Sequence, residues 1–585
     1  GTSVTVQDDF SLVYGMFYAL TAEGFSERQL ADYAGLIQRE LTDLDGVARV
    51  ELYGKREESI DISLRADRMA TLGISPTEVL ATLNGQNGTF YAGYYDNGDQ
   101  RVRVTVTDKS RTVEQIRNMV IQGHEDDQLR LGDIATVESG YTEPVRNSMT
   151  YNGERAVGIA VAAASGTDIV KVGNAVERRL AELQEERFPA GVACHKVFYQ
   201  PERVTGALST FFINLVESVL IVIAILMITM GFRSGVIIGF SLLTIVIGTF
   251  LLLGMTGGTM QRVSLAAFIL AMGMLVDNAI VVTDNAQIGI KRGKSRYQSL
   301  IEGAIKPQWA LLGATFIAIC SFLPLYLAPA SVAEIVKPLF VVLAVSLGLS
   351  WILALCQTTT FGNFILKEAV PGGAMKDPYD TKLYHKFEKF LTLLIKRRFV
   401  TLTTVFVTLV LSLVIMAVMP QSFFPKMNKP YFRADLVFPE GFSIHAVDQD
   451  VMKVEGYLKN HEKVKSYSVT LGGTPLRYYL ASSSFGPKSN YANVMVETKD
   501  PEDAAEVEQQ FYEHMTQNFP NIITRSALFA LSPVPEAAIE IGFIGENPDT
   551  LTALVERAKK IARQCDMVTD IRSNWGDKVL SLIHI

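Results

Sequence analysis

The stretch VSLAAFILAMGMLVDNAIVVTDNAQ, residues 263–287, is apolar enough to cross a membrane, yet it carries Asp277 and Asn278 near its middle. Its 25 residues at about 1.5 Å each give roughly 37 Å of helix, against a hydrocarbon core of about 30 Å. An unsatisfied polar group in lipid costs several kcal/mol, and a charge at mid-bilayer at least about 2.5–3.5 kcal/mol. A span that keeps a carboxylate there points to an ion or proton relay. The structural alternative is a protonated Asp277 hydrogen-bonded to a neighbouring helix. Asp284 and Asn285 follow seven residues later on the same helix faces. Gly273, one turn before Asp277, offers close approach to another helix.

Outward from this span, the apolar residues concentrate between 209 and 419, with six candidate spans near 211–232, 235–254, 263–287, 309–328, 338–365 and 399–419. Glu217, about two turns into the first span, is a second candidate for the relay; the alternative is a side chain that snorkels to the interface. Positive charge orients the spans. Lys291, Arg292, Lys294, Arg296 and Lys306 fill one connection. Lys367, Lys376, Lys382, Lys386, Lys389, Lys396, Arg397 and Arg398 fill another, and Arg233 lies in a third. The opposite side has only Arg262 and Lys337. The basic connections are therefore expected in the cytosol, with residues 1–208 and 420–579 outside, in the periplasm of a Gram-negative cell.

The whole chain has 585 residues, 48% hydrophobic residues and a net charge of −7, which leaves no basic footprint for nucleic acid. The four cysteines are scattered, with no metal-ligand, redox or disulfide spacing. Gly289-x3-Gly293-Lys294-Ser295 is one residue short of a phosphate-binding loop and follows no strand, so it reads as a basic turn. No HExxH motif, Cys/His cluster or nucleophile–base pair is evident, so neither an enzyme, a metal site nor a bound cofactor is expected. Pumping would have to draw on an ion gradient. The chain starts at Gly1 within a pattern, and Leu580–Ile585 (LSLIHI) matches the translation of a sequencing-library adaptor. The expectation is a piece of a longer protein, with no function in residues 580–585.

The flanking parts alternate strand-like and helix-like segments. Phe10–Leu20 reads as a buried strand, Ser26 as the cap of a helix through Leu44, and Val47–Gly54 and Ile60–Leu64 as strands. Ser75-Pro76 opens another helix, and Arg101–Thr107 alternates cleanly. A helix-then-strand unit recurs at 26–52, 445–471 and 549–572. The expected fold is a polytopic α-helical membrane protein with α+β subdomains of split βαβ type outside the membrane.

The run GMLVDNAIVVTDN, the preceding LAAFILA, the VELYG strand, the MGFRS turn after the first span and FFP at 423–425 resemble the resistance-nodulation-division (RND) efflux pumps. The branch is that of the hydrophobe/amphiphile exporters, AcrB/MexB-like. The resemblance implies proton-driven antiport of amphiphilic compounds by a homotrimer in the bacterial inner membrane, working with a periplasmic adaptor and an outer-membrane channel. Residues 1–208 would supply porter subdomains and a docking insertion, 209–419 the family's helices two to seven, and 420–579 part of the second porter half. The family's relay usually has two adjacent aspartates; here Asn278 follows Asp277, so Asp277 alone would titrate. Two aromatic positions of the drug pocket fall on Phe10 and Tyr53, with plain core packing as the alternative. Tyr478, Tyr479 and Phe485 fall in what should be a pocket-lining loop.

Two other functions fit the same core. A heavy-metal exporter of the superfamily would want soft ligands in the second porter half, where Met427, Met452, Met495, Met515 and Met567 occur without ligand spacing. A protein-export accessory subunit shares the membrane core but has smaller outer domains.

Overall fold

The computed structural model describes residues 12–86, 89–96, 98, 100–107, 112–124, 127–257, 262–328, 330–368, 382–419, 429–479, 487–529, 539–565, 568 and 571–575. Phe10, Met427, Phe485, Met567, the FFP sequence and Leu580–Ile585 lie outside the described residues. The chain divides into an α/β unit, Gly1–Pro201 with Ser422–Ile585, and a helical unit, Glu202–Gln421.

In chain order the elements are β1 (Met16–Ala22), α1 (Glu27–Thr42), β2 (Val47–Tyr53), β3 (Glu58–Leu64), α2 (Ala66–Leu72), α3 (Pro76–Gln86), β4 (Thr89–Asp96), β5 (Arg101–Thr107), α4 (Val113–Arg117), β6 (Val120–His124), β7 (Asp127–Arg130), α5 (Leu131–Ile134), β8 (Ala135–Tyr141), β9 (Ser148–Tyr151), β10 (Glu154–Ala163), α6 (Ile169–Glu186) and β11 (Val192–Tyr199). The helical unit holds α7 (Gln200–Met230), α8 (Phe232–Met255), α9 (Arg262–Leu275), α10 (Asp277–Lys291), α11 (Arg296–Ile305), α12 (Gln308–Tyr326), α13 (Ala330–Ile365), α14 (Lys382–Lys396) and α15 (Arg398–Val418). The chain then adds β12 (Tyr431–Val437), α16 (Ile444–Lys459), β13 (Val464–Leu471), β14 (Tyr491–Thr498), α17 (Ala504–Asn518), β15 (Ile523–Leu528) and α18 (Pro548–Ala562).

Local chemistry accounts for α1. Ser26 accepts from the Gln29 amide while the Gln29 side chain returns to the Ser26 backbone, satisfying two orphan donors. Leu30, Ala34, Ile37 and Leu41 then fall on one buried face. The strand expected from Phe10 starts only at Met16. The backbone turns before it, where Gly15 N–H donates to Val13 O, and the Tyr14 N–H goes to Arg477 O at 2.8 Å instead of to a ladder partner.

Among the described residues the main sheet has nine strands, in the order β11-β1-β10-β9-β13-β14-β12-β15, with β2 also on β10. Strands β1 and β2 flank β10, and β13 and β12 flank β14 in the same way. In each half, then, a strand from later in the chain lies between two strands that a helix connects. Short β9 joins them: Thr150 pairs with Arg155 of β10 on one side and Val469 of β13 on the other. Helices α1 and α6 cover one half with a core of Tyr18, Leu20, Ile37, Ile159 and Val176. Helices α16 and α17 cover the other, over Phe432, Val454, Val494 and Phe511. Residues between β2 and β9 form an insertion in which β3 pairs with β8 over a core of Met69, Val79, Ile116 and Leu131.

Among the described residues of the helical unit, six helical runs are long and apolar enough to cross a membrane: Gln200–Met230, Phe232–Met255, Val263–Lys291, Gln308–Tyr326, Val336–Ile365 and Arg398–Val418. The third runs on through Val276, immediately before Asp277: Val276 keeps right-handed helical angles, and its carbonyl accepts from Ile280 N–H at 2.9 Å. The core packs Ile238, Leu242 and Ile245 of α8 and Phe268, Met272 and Leu275 of α9 against Leu343 and Leu347 of α13. The glycine contact expected at Gly273 is not made; a Cβ there would meet nothing within 4 Å. Close approach falls instead at Gly303 of α11, where a Cβ would lie 3.0 Å from Ala286 N and 3.1 Å from Val282 O of α10.

Candidate functional site

The helical unit places Asp277 and Asn278 in different surroundings. Asn278 is 6% exposed. Its Nδ2 donates to Ser350 Oγ of α13 at 2.9 Å and to Thr315 Oγ1 of α12 at 3.3 Å. The amide thus fastens three helices through buried hydroxyls, a use of polar side chains suited to an apolar solvent. Ser346, one turn from Ser350, is fully buried with its Oγ on Leu343 O. Gln357 of α13 donates to Thr244 Oγ1 of α8, and Ser241, Thr283 and Thr358 add further buried hydroxyls.

Asp277 is exposed, in a stripe with Ala266, Ile269, Leu270, Gly273 and Asp284 that recurs every three to four residues. The expectation that Asp284 shares the face of Asp277 is met; Asn285, unlike Asn278, is exposed. Glu217 is also exposed, on a face of α7 with Ile213, Val216, Leu220 and Ile221. Among the described residues no hydrogen bond or ion pair joins Glu217 to Asp277.

The phosphate-loop-like motif is a turn. Gly293 takes a positive φ of 82°. Lys294 Nζ pairs with Glu302 Oε2 at 2.5 Å, and Ser295 caps α11. Lys294 and Lys306 together hold the Glu302 carboxyl down at about 2.

In the α/β unit, Tyr53 ends β2 and is 7% exposed. Its hydroxyl donates to Leu471 O and Gly473 O, both at 3.1 Å, at the end of β13 in the other half. Burial pushes its phenol well above the ordinary value. Around it lie Tyr14, Phe17, Met149, Phe198, Tyr478, Met495 and Phe529. Phe17 stacks on Tyr478 at 5.3 Å, Tyr479 on Phe529 at 4.5 Å, and Phe198 touches Tyr478, Tyr479 and Phe529 at 5.5–6.2 Å. Strand alternation makes this possible: on β1, Met16, Tyr18 and Leu20 face the helices, while Phe17 and Ala19 face the aromatic cluster.

Tyr478 and Tyr479 thus pack in the same cluster as Tyr53. Phe17, Phe198 and Phe529 were not singled out from sequence. The alternation of MFYALTA was a signal that β1 has a second buried face, but nothing local marked that face as aromatic. Of the methionines considered as soft ligands, the three among the described residues are dispersed. Met495 lies in the aromatic cluster, Met515 in the α17 core, and Met452 is 59% exposed on α16.

Comparison with known protein families matches residues 3–583 to the AcrB/AcrD/AcrF family. Six apolar spans, a carboxylate within the third of them and two like-built α/β halves accompany that match. With nearly its whole length matched, the chain belongs to the AcrB/AcrD/AcrF family of RND-type transporters.

Proposed function

We propose that this chain drives export of amphiphilic or hydrophobic compounds at the expense of a proton gradient, as the inner-membrane component of a tripartite pump. The observation that carries the reading is Asp277: a carboxylate at mid-span, turned away from the helices that hold Asn278. A carboxylate can load and release a proton, and a charge that comes and goes at mid-span changes which helix packing is favourable. The buried hydroxyls of Ser241, Thr283 and Thr358 add polar groups to the same unit. In this reading Glu217 is an auxiliary relay residue on the first span.

The aromatic cluster supports amphiphiles as cargo. Aromatic faces give large apolar contact with adaptable geometry, and here they gather where the two α/β halves meet. The split β–α–β units would be porter subdomains and the β3–β8 insertion a docking element, all in the periplasm. Assembly as a homotrimer with a periplasmic adaptor and an outer-membrane channel follows the same reading. The dispersal of Met452, Met495 and Met515 favours it over metal export.

The test is transport in liposomes holding the transporter and a pH-sensitive dye inside. A fluorescent amphiphile should move only while a proton gradient is imposed, and a protonophore should stop it. Copper(I) or silver(I) moving in its place would establish the metal reading. Amphiphile transport indifferent to the protonophore would rule out proton coupling.

A further inference from the structure

At the end of the bundle where α7 gives way to α8, an open cavity of about 440 Å³ is bounded by the ends of α7, α8, α10 and α13. Three cations line it, Arg233, Lys291 and Lys367, and no acidic side chain does so among the described residues. Its apolar wall includes Met230, Phe232, Ile290 and Leu366. We infer that this cavity is a binding site for the headgroup of an anionic phospholipid.

The place, the charge and the shape agree on that occupant. The spans Gln200–Met230 and Phe232–Met255 meet here, so the cavity lies at the level where a bilayer presents its headgroups. Phe232 is 70% exposed beside Arg233, the aromatic–basic pairing that suits the interface. Gly231, with φ of 86°, makes the turn and offers no capping side chain to α8, so the first turn of that helix adds backbone N–H donors to the cations. Arg233 is already oriented: its Nη1 donates to Ile365 O of α13 at 3.3 Å. Gln287 of α10 reaches across the floor to Ser234 Oγ and Met230 O. A phosphate diester satisfies the cations while its glycerol and acyl carbons meet Phe232, Met230 and Leu366. A free anion would leave that wall wet. Bound lipid would tie α10, which carries Asp277, to α7, α8 and α13.

The full chain is delipidated in mild detergent and titrated with dioleoyl-phosphatidylglycerol, with dioleoyl-phosphatidylcholine and with inorganic phosphate, and bound lipid is counted by native mass spectrometry. Phosphatidylglycerol should be retained over phosphatidylcholine. Its affinity should fall about fivefold for each cation removed in Arg233→Gln, Lys291→Gln and Lys367→Gln, and hold in Lys306→Gln, a cation outside the cavity. Lys367 makes no side-chain hydrogen bond among the described residues, so its variant keeps the test decisive if Arg233→Gln fails to fold. Equal retention of the two lipids, or phosphatidylglycerol binding unchanged in Lys367→Gln and Lys291→Gln, would overturn the site. Displacement of the lipid by inorganic phosphate at matching concentration would overturn the lipid and leave a free-anion site.

Discussion

Asn278 is turned into the helical bundle, with its amide on Ser350 Oγ at 2.9 Å, while Asp277, the residue before it, is turned out. The two adjacent positions therefore meet different surroundings. One fastens helices and the other is exposed.

The fastening predicts a stability effect. Asn278→Ala removes both hydrogen bonds that join α10 to α12 and α13. Interhelical hydrogen bonds in membranes average about 0.6 kcal/mol each, so the loss should be about 1–2 kcal/mol with the space left behind. Denaturation of the protein in detergent should show a lower midpoint. A midpoint equal to the parent's would mean that the amide contributes nothing to packing.

Tyr53 makes a separable prediction in the α/β unit. Tyr53→Phe keeps the ring and removes the hydroxyl that reaches Leu471 O and Gly473 O, at a cost of about 1 kcal/mol. Tyr53→Ala also empties the centre of the aromatic cluster, for a total of about 3–5 kcal/mol. If the cluster receives cargo, the alanine variant should change resistance unevenly across compounds. Resistance unchanged for every compound, in cells where the variant reaches wild-type levels, would leave Tyr53 as packing alone.

Glu455 predicts a pH dependence. It lies on α16, 7% exposed, and accepts from Thr150 of β9, the strand that joins the halves. Burial raises its carboxyl above the ordinary value of 4.5; the Thr150 bond opposes that and nearby Asp448 adds to it. A raised value means that the folded protein holds this proton more tightly than the unfolded chain. The stabilisation is complete below pH 4.5 and is lost as pH rises through the folded value. Glu455→Gln can still accept from Thr150 and does not titrate. It should raise the thermal midpoint above the parent's at neutral and alkaline pH, with the gap closing in acid. A gap that stays constant from acid to alkaline pH would show that the carboxyl does not titrate in the fold.

The spans and α1 were legible because their signals are local: an apolar run of membrane length, and a Ser26–Gln29 box before a periodic face. The repeat of helix and strand anticipated two like halves, but not their junction. Thr150 pairs with Val469 across the whole membrane block, and no nearby residue announces a partner more than 300 positions away. Phe17, Phe198 and Phe529 converge only once that sheet is assembled. Seven-residue spacing put Asp284 on the face of Asp277, yet spacing is blind to which face packs. That is decided by Thr315 and Ser350, on helices whose positions the sequence does not give.

The last prediction concerns Asp277. Asp277→Asn keeps the volume and much of the hydrogen-bonding capacity while removing the proton that can be exchanged. Asp277 is exposed and has no hydrogen-bond or ion-pair partner among the described residues, so the substitution should leave the fold intact. Asn278→Ala has the opposite profile: it loosens the bundle and takes away no titrating group. Drug-coupled proton flux, followed with an internal pH-sensitive dye in liposomes, should therefore fall to background in Asp277→Asn. It should fall less in Asn278→Ala. Denaturation midpoints should rank the other way, with Asp277→Asn the closer to the parent. This crossed pattern separates a relay from a merely structural carboxylate, because a structural role would move both readouts together. Parental proton flux in Asp277→Asn would place the relay elsewhere, with Glu217 the next residue to substitute.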